Sequence, residues 1–268
     1  MTLRVGKIPY LNSVLFYYLL ERDKGATPIT FEPLVPRALS SAARENAIDC
    51  GPVPLVACWD LEDSYEPLVA DERGDFCIST LEKARSILLF SKKPFESLGR
   101  ASIGVTNETS TSVRLLKVLL DHYWGVGPPR YTHLDWPNND AFLLIGDEAL
   151  IHRNGVKGYP HTADLGEVWH RWTGLPFVFA RWVVRNDLAP GLRRELVERI
   201  DASIEAGWKE FDEVVDGKAH ELSMTMAEMR EYLEGFRFRM TNDEYEAITR
   251  FHQLDGATQA GSAAAANQ

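Results

Sequence analysis

Four hydroxyl-bearing residues stand together at one predicted strand-to-helix turn. In VTNETSTSVRLLKVLL they are Thr109, Ser110, Thr111 and Ser112, directly before an amphipathic run. The free N–H groups at the start of a helix, reinforced by hydroxyl donors, suit a carboxylate or a phosphate. Helix capping alone accounts for one or two of these hydroxyls. We therefore predict an anion-binding turn, with capping as the alternative interpretation.

Asn12 and Ser13 hold a comparable place in GKIPYLNS, after the first predicted strand and before a helix. Their side-chain oxygens either cap that helix or face a ligand, and the local sequence favours neither interpretation. Asn12 is the more interesting candidate, because its amide both donates and accepts hydrogen bonds.

The run AFLLIGDEAL predicts a buried strand that ends at Gly146 and Asp147, followed by a helix. Gly146 would let a ligand approach the backbone, whereas Asp147 is expected first of all to be an N-cap. TGLPFVFARW predicts a strand packed in the core rather than a segment in contact with substrate.

Several motifs of known chemistry are absent from the sequence. His152, His161 and His170 are nine residues apart, which is not ligand spacing, so no metal site is predicted. There is no GxSxG elbow, no GxxxxGK[ST] loop and no dinucleotide fingerprint. The sequence therefore favours chemistry without a cofactor. The cysteines lack CxxC spacing and are predicted to be buried free thiols: Cys50, Cys58 and Cys77.

The elements that must position these residues alternate between strands and helices. LRVGKI, PITFEPL and AIDCGPV are short strand-like runs separated by amphipathic ones, and this βαβαβ order implies a parallel sheet. A second alternation runs from ASIGV through AFLLIG to DLGEVWHRW. FVFARWVVR predicts one more strand, and everything beyond Pro190 shows helical spacing.

This order predicts two lobes with two crossings between them, near residues 86–91 and 177–185. Two crossings make a hinge, and a cleft between domains is a preferred site for a small ligand. The predicted bounds are 1–86 for the first part of lobe 1, 87–179 for lobe 2, 180–255 for the return strand and C-terminal helices of lobe 1, and 256–268 for a flexible tail.

Composition limits the function. The 268 residues are 45% hydrophobic and 25% charged, as in an ordinary globular protein. The formal net charge of -10 argues against a general nucleic-acid binder. No apolar run is long enough for a membrane span, and the opening MTLRVGKIPY is not a signal peptide, so we expect a cytoplasmic protein without membrane contact.

Taken in order, five segments resemble the menaquinone-biosynthesis family related to periplasmic binding proteins, and specifically its chorismate dehydratase branch. The resemblance covers most of residues 3 to 185, and the helical C-terminal third fits by position only. The segments are IPYLNS, IDCGPVPL, VTNETSTSVRLLKVLL, LLIGDEAL and DLGEVWHRWTGLPFVFARW.

The resemblance implies a two-lobed type 2 periplasmic-binding (Venus flytrap) α/β fold with two hinge strands. It also implies a cofactor-independent hydro-lyase of the futalosine route to menaquinone, which converts chorismate to 3-[(1-carboxyvinyl)oxy]benzoate and water. Transient contact with the next pathway enzyme is left open. By the resemblance Asn12 is catalytic, and the other residues of the predicted site bind substrate: Ser86, Thr111, Ser112, Gly146 and Asp147. The chain departs from the family before Ser86, where LEKAR replaces a turn of Gly-Pro-Val type.

None of these residues is a convincing general base, since an Asn amide takes no proton and Asp147 is equally expected to be a cap. The mechanistic hypothesis is that the enolpyruvyl carboxylate of the substrate removes the proton, while Asn12 orients the leaving hydroxyl. Two alternatives are a 1,4-dihydroxy-6-naphthoate synthase of the same pathway and a non-catalytic solute-binding protein for a small carboxylate.

Overall fold

The structure, a computed structural model, describes residues 2–22, 25–69 and 74–266, and the side chains of 261–266 are not described. The chain divides into two units: the first comprises Met1–Ser79 and Val178–Thr241, and the second comprises Thr80–Phe177 and Asn242–Gln268.

In chain order the strands are β1 (Leu3–Lys7), β2 (Ile29–Pro33), β3 (Cys50–Pro54), β4 (Tyr65–Pro67), β5 (Phe76–Thr80), β6 (Ile87–Ser91), β7 (Ser102–Val105), β8 (Arg130–His133), β9 (Ala141–Ile145), β10 (His161–Asp164), β11 (Phe177–Arg185) and β12 (Phe236–Arg239). The helices are α1 (Val14–Tyr17), α2 (Pro36–Arg44), α3 (Leu55–Cys58), α4 (Thr111–Val118), α5 (Gly146–Ile151), α6 (Leu165–Thr173), α7 (Pro190–Lys209), α8 (Phe211–Leu222), α9 (Met226–Glu234) and α10 (Asn242–Ala266).

In the described residues of the first unit, seven strands form a sheet of order β12-β5-β11-β3-β1-β2, with β4 paired to β11. β1 runs parallel to β2 and β3, as the βαβαβ pattern predicts. β11 runs antiparallel to β3 and β4, so the sheet is mixed and the prediction of a parallel sheet holds only for its first three strands. Phe16 anchors the core below it, with ring centroids 5.3 Å from Trp182 and 5.2 Å from Phe238.

In the described part of the second unit, five strands form a sheet of order β10-β6-β9-β7-β8. β9 runs parallel to β7 and antiparallel to β6, and β10 runs antiparallel to β6. The buried rings of Phe90 and Phe142 lie 5.2 Å apart on one face. This sheet therefore brings the carboxyl ends of β7, β9 and β10 to the same edge as the amino end of β6.

The C-terminal third differs from the sequence-based expectation in two places. FRFR forms β12 rather than a helix, because Phe236 and Phe238 alternate with half-buried arginines at the period of a strand. α10 groups with the second unit rather than with lobe 1. Asp255, 2% exposed, pairs with Arg114, and the ring of Phe251 packs 4.9 Å from that of Phe177.

The chain therefore passes between the units at three points, after residues 79, 177 and 241, where two crossings were expected. The predicted flexible tail is helical as far as Ala266, which suits a run of alanine, the residue of highest helix propensity. Residues 267 and 268 of that predicted tail lie outside the described residues.

In the ranges described, none of the helices is long and apolar enough to cross a membrane. The expectation of a cytoplasmic protein stays a prediction. The three cysteines are free thiols, with Cys50 and Cys77 buried and Cys58 half-buried. Burial raises the pKa of Cys58 to about 12, which favours the protonated thiol over the thiolate at neutral pH.

Candidate functional site

Three predicted site segments meet at one edge of the five-stranded sheet. The hydroxyl-rich turn (residues 109–112) follows β7, the pair Gly146 and Asp147 follows β9, and Ser86 precedes β6. Because β7 and β9 are parallel and β6 is antiparallel to β9, these segments share an edge. Asn12 belongs to the first unit.

Ser86 and Gly146 are joined directly. The N–H of Gly146 donates a 2.8 Å hydrogen bond to the carbonyl oxygen of Ser86, one step beyond the Ile87–Ile145 pair of the ladder. Gly146 has φ +60°, the left-handed region that glycine adopts without a Cβ penalty. The hydroxyl of Ser86 is fully buried and donates to the Ala84 carbonyl at 3.2 Å.

The hydroxyl-rich turn is buried and only partly satisfied. Thr109, Thr111 and Ser112 are 6%, 3% and 6% exposed. Ser110 occupies the N-cap position of α4, but its side chain makes no cap hydrogen bond. The buried Oγ1 of Thr109 has no hydrogen-bond partner among the described residues. Capping therefore does not account for the hydroxyls of Thr109 and Ser110, and an unpartnered buried donor beside a helix N-terminus is suited to an anion.

Asn12 lies in the loop that joins β1 to α1. The Ser13 hydroxyl donates to the carbonyls of Ile8 and Tyr10 at 2.7 and 2.9 Å, which fixes the loop. Asn12 itself sits inside a 3-10 turn, Leu11–Ser13, whose N-cap is Tyr10. The capping interpretation of Asn12 is therefore wrong, and its buried Oδ1 has no partner within the described chain. Ser13 precedes α1 without a side-chain cap, so capping is wrong for Ser13 as well.

Asp147 is not an N-cap either. Ile145 holds the cap position of α5 in extended backbone, and Asp147 is the second residue of the helix, 9% exposed. A carboxylate in the first turn of a helix still interacts favourably with the positive end of the helix dipole. The expectation that Asp147 is first of all an N-cap is therefore wrong.

The LEKAR turn before Ser86 is held by Asp164. The carboxylate of Asp164 accepts from the backbone N–H groups of Ala84 (3.1 Å), Arg85 (2.5 Å), Gly166 (2.9 Å) and Glu167 (3.1 Å). Burial raises the pKa of Asp164, against the lowering effect of these four donors. Arg85 adopts φ +56°, a conformation that non-glycine residues rarely take.

A cavity of about 570 Å³ borders the Asn12 loop within the first unit. Tyr10 and Ser13 line it, while Asn12 does not. Its cations are already engaged, since Lys7 pairs with Glu21 and Lys218 donates to the Pro9 carbonyl at 3.2 Å. The cavity therefore offers aromatic surface without an unpaired lysine.

Two further polar side chains were not identified from the sequence. The buried Oγ1 atoms of Thr80 and Thr106 also lack partners among the described residues. Thr106 comes directly after β7 and three residues before Thr109. This position after the strand is the sequence feature by which Thr106 could have been identified. Within the described ranges, no group of three or more His, Cys, Asp or Glu residues is arranged to hold a metal ion.

Comparisons with known proteins show the family and the fold of the chain. The sequence profile of the family described as "Menaquinone biosynthesis" matches residues 3–255. A chorismate dehydratase from Thermus thermophilus is 30% identical over 201 residues, which are 68% of this chain and 72% of the relative. A 1,4-dihydroxy-6-naphthoate synthase from the same organism is 24% identical over 259 residues, 92% of each chain.

Among solved structures, the periplasmic aliphatic sulphonate binding protein of Escherichia coli aligns with a TM-score of 0.61 at 14% identity. The alignment covers 97% of this chain and 87% of that one. The chain therefore has a periplasmic-binding-protein-like fold, with two mixed α/β sheets and C-terminal helices.

Proposed function

The chain belongs to the menaquinone biosynthesis family of enzymes, and from this premise we propose that it is a chorismate dehydratase, forming 3-[(1-carboxyvinyl)oxy]benzoate and water. The observation that carries this choice is the 30% sequence identity between this chain and the Thermus thermophilus chorismate dehydratase, which extends over 68% of the chain. Both enzymes of this family that are considered below act on a small-molecule substrate of the menaquinone pathway.

The reaction asks little of the protein. Loss of the ring hydroxyl and of the hydrogen on the ether-bearing carbon makes the ring aromatic, with no net change of oxidation state. The enzyme must supply orientation, exclusion of water and a path for the proton. Amide, hydroxyl and backbone N–H groups can supply the orientation.

In this proposal the enolpyruvyl carboxylate of chorismate takes the proton from the ether-bearing carbon. The electrons of the C–H bond form the new ring double bond, the C–O bond to the hydroxyl breaks, and the hydroxide leaves as water with that proton. Asn12 holds the departing hydroxyl. Its support is the buried, unpartnered Oδ1 in a loop fixed by Ser13. An acceptor with no internal partner is available to a ligand hydroxyl.

A substrate carboxylate is held at the hydroxyl-rich turn, in this proposal by the N–H groups that open α4 and by Thr109, Thr111 and Ser112. The unpartnered Thr109 hydroxyl supports the assignment. Ser86, Gly146 and Asp147 complete the substrate-binding set, supported by their place at the same sheet edge.

The second candidate is a 1,4-dihydroxy-6-naphthoate synthase. One observation favours it: the Thermus thermophilus synthase aligns with 92% of the chain, more than the dehydratase covers. The solute-binding alternative has the fold in its favour but not the family.

The deciding experiment incubates purified protein with chorismate and follows ultraviolet absorbance and product mass. The expected result is a product lighter than chorismate by one water, formed at a rate proportional to enzyme and far more slowly with Asn12→Ala. Unchanged chorismate rejects the proposal. In that case, measurable chorismate binding by calorimetry favours a solute-binding protein, and no binding favours the synthase.

A further inference from the structure

Asp164 bonds two separate pieces of the second unit at once. Its Oδ1 caps α6 through the N–H groups of Gly166 and Glu167 and also accepts from Ala84, while its Oδ2 accepts from Arg85. The first two bonds are those of an ordinary N-cap. The bonds to Ala84 and Arg85 reach about 80 residues back along the chain, to the turn that precedes β6.

The turn at Ala84 and Arg85 needs such a partner. Arg85 has φ +56°, a strained conformation for a residue with a Cβ, which persists only where the surroundings enforce it. A carboxylate oxygen 2.5 Å from the Arg85 N–H is a charge-assisted acceptor in that position. The same turn carries Ser86, whose hydroxyl donates to the Ala84 carbonyl.

This turn packs directly against the start of α6. A Cβ added to Gly166 would lie 2.9 Å from the backbone nitrogen of Ala84, so the first turn of α6 and the turn before β6 are in direct backbone approach. On the far side, the Ser86 carbonyl accepts from the N–H of Gly146. Asp164 and Gly146 are thus connected by two hydrogen bonds, to the Arg85 N–H and to the Ser86 carbonyl, which the peptide bond between Arg85 and Ser86 joins.

We propose that Asp164 is a positioning residue of the dehydratase: it holds the left-handed turn at Arg85 and thereby sets Ser86 and Gly146 at the sheet edge where substrate binds. This inference rests on the proposed function for its effect on turnover, but its effect on the Ser86–Gly146 pair stands on geometry alone. An ordinary N-cap of α6 would not act on that pair.

The test is Asp164→Asn. An asparagine keeps an oxygen that accepts from Gly166 and Glu167, but it turns an NH₂ group toward the Arg85 N–H. Two hydrogen-bond donors then face each other at the place where the carboxylate oxygen accepted a hydrogen bond. The expected result is a fall in kcat for chorismate of about tenfold to a hundredfold with a smaller change in KM, because the groups are displaced and not removed.

Rescue and a matched control separate positioning from lost stability. Arg85→Gly in the Asp164→Asn background should restore most of kcat, since glycine adopts φ +56° without help. Thr225→Ala removes a comparable cap, the capping box of α9 in the first unit, and should lower Tm while leaving kcat unchanged. Failure of Arg85→Gly to restore kcat, or wild-type kcat in Asp164→Asn, would overturn the inference.

Amide hydrogen exchange makes the result independent of the substrate. In Asp164→Asn the Gly146 amide should exchange at least tenfold faster than in the wild type, and in the Arg85→Gly double variant it should regain protection. If the wild-type protein leaves chorismate unchanged, the proposed function fails while this measurement still decides the inference. Unaltered Gly146 protection in Asp164→Asn would reject it whatever the substrate.

Discussion

The backbone N–H of Gly146 donates to the carbonyl of Ser86 over 2.8 Å, which links two predicted site residues that lie 60 positions apart in the sequence. The link extends the β6–β9 ladder by one bond beyond the strands. A change at either residue should therefore be felt at the other.

Gly146→Ala should lower activity more than its effect on stability explains. At φ +60° an alanine costs about 1 kcal/mol of unfolding free energy, and relief of that strain would pull the N–H away from Ser86. Gly158→Ala is the matched control, because Gly158 has φ +88° with open space around it. Urea unfolding and turnover are measured on both. Equal activity in the two variants would contradict the role of Gly146.

The hydroxyl-rich turn should contribute mainly to affinity. Thr111→Val combined with Ser112→Ala removes two buried hydroxyls, and we expect chorismate binding to weaken by about 2 kcal/mol, since hydrogen bonds to a charged group are the strong ones. Isothermal titration calorimetry measures it. An unchanged dissociation constant would reject carboxylate binding at this turn.

Thr109→Val isolates binding from stability. The Thr109 hydroxyl has no partner among the described residues, so its loss breaks no described hydrogen bond and should leave the unfolding free energy unchanged or slightly raised. Chorismate affinity should fall. Thr258→Val gives the opposite pattern: its hydroxyl donates to Asp121 at 3.1 Å, so about 1 kcal/mol of stability is lost while affinity is kept. A loss of stability in Thr109→Val would refute the assignment.

Much of this fold follows from sequence periodicity. Strands β1 to β3 and helices α7 and α9 stand where alternation and helical spacing place them, because each buries one face. β12 was missed because FRFR is short and flanked by helices, so its period of two is a weak signal. The unit that α10 joins depends on Arg114 and Asp255, which are 141 residues apart, and no local pattern carries such a contact.

The sequence indicated which segments contribute residues to the candidate site, but it did not indicate which of those residues contact one another. Residue type and position after a strand indicated Asn12, Thr111 and Gly146. Capping was the wrong expectation at Asp147 and the wrong one of two open interpretations at Asn12. The cap of a helix is fixed by one residue's backbone angles, and sequence locates it only within a residue or two. The role of Asp164 depends on a turn at residues 84–85 that lacks the glycine by which a left-handed residue is usually recognised.

Acid should weaken the first unit through Asp49. Burial by itself would raise the pKa of Asp49, but hydrogen bonds from Arg4 and the charges of Arg4 and Arg185 lower the pKa below its ordinary value. A lowered folded-state pKa means that this contribution to stability is present above about pH 4 and is lost as pH falls through the folded pKa. In urea unfolding, Asp49→Asn should be less stable than wild type at about pH 7, and the difference should shrink toward about pH 3. An equal difference in unfolding free energy at both pH values would contradict this prediction. Asp216 is exposed, so the same pH trend in Asp216→Asn would also contradict it.

Asn12 should matter for turnover and not for folding. Its buried Oδ1 has no partner among the described residues, and it caps no helix, so Asn12→Ala breaks no described bond and Tm should stay near the wild-type value. If the amide holds the departing hydroxyl in line for elimination, its loss should cost about a hundredfold or more in kcat with little change in chorismate affinity.

Ser13→Ala is the neighbouring control: it removes hydrogen bonds of 2.7 and 2.9 Å to Ile8 and Tyr10, so about 1 kcal/mol or more of stability should be lost. Any loss of turnover in Ser13→Ala should be smaller than in Asn12→Ala, because Ser13 acts only through the loop. Thermal unfolding, calorimetry and turnover on the two variants decide the matter, and an Asn12→Ala enzyme that turns over chorismate at the wild-type rate would defeat the proposed role.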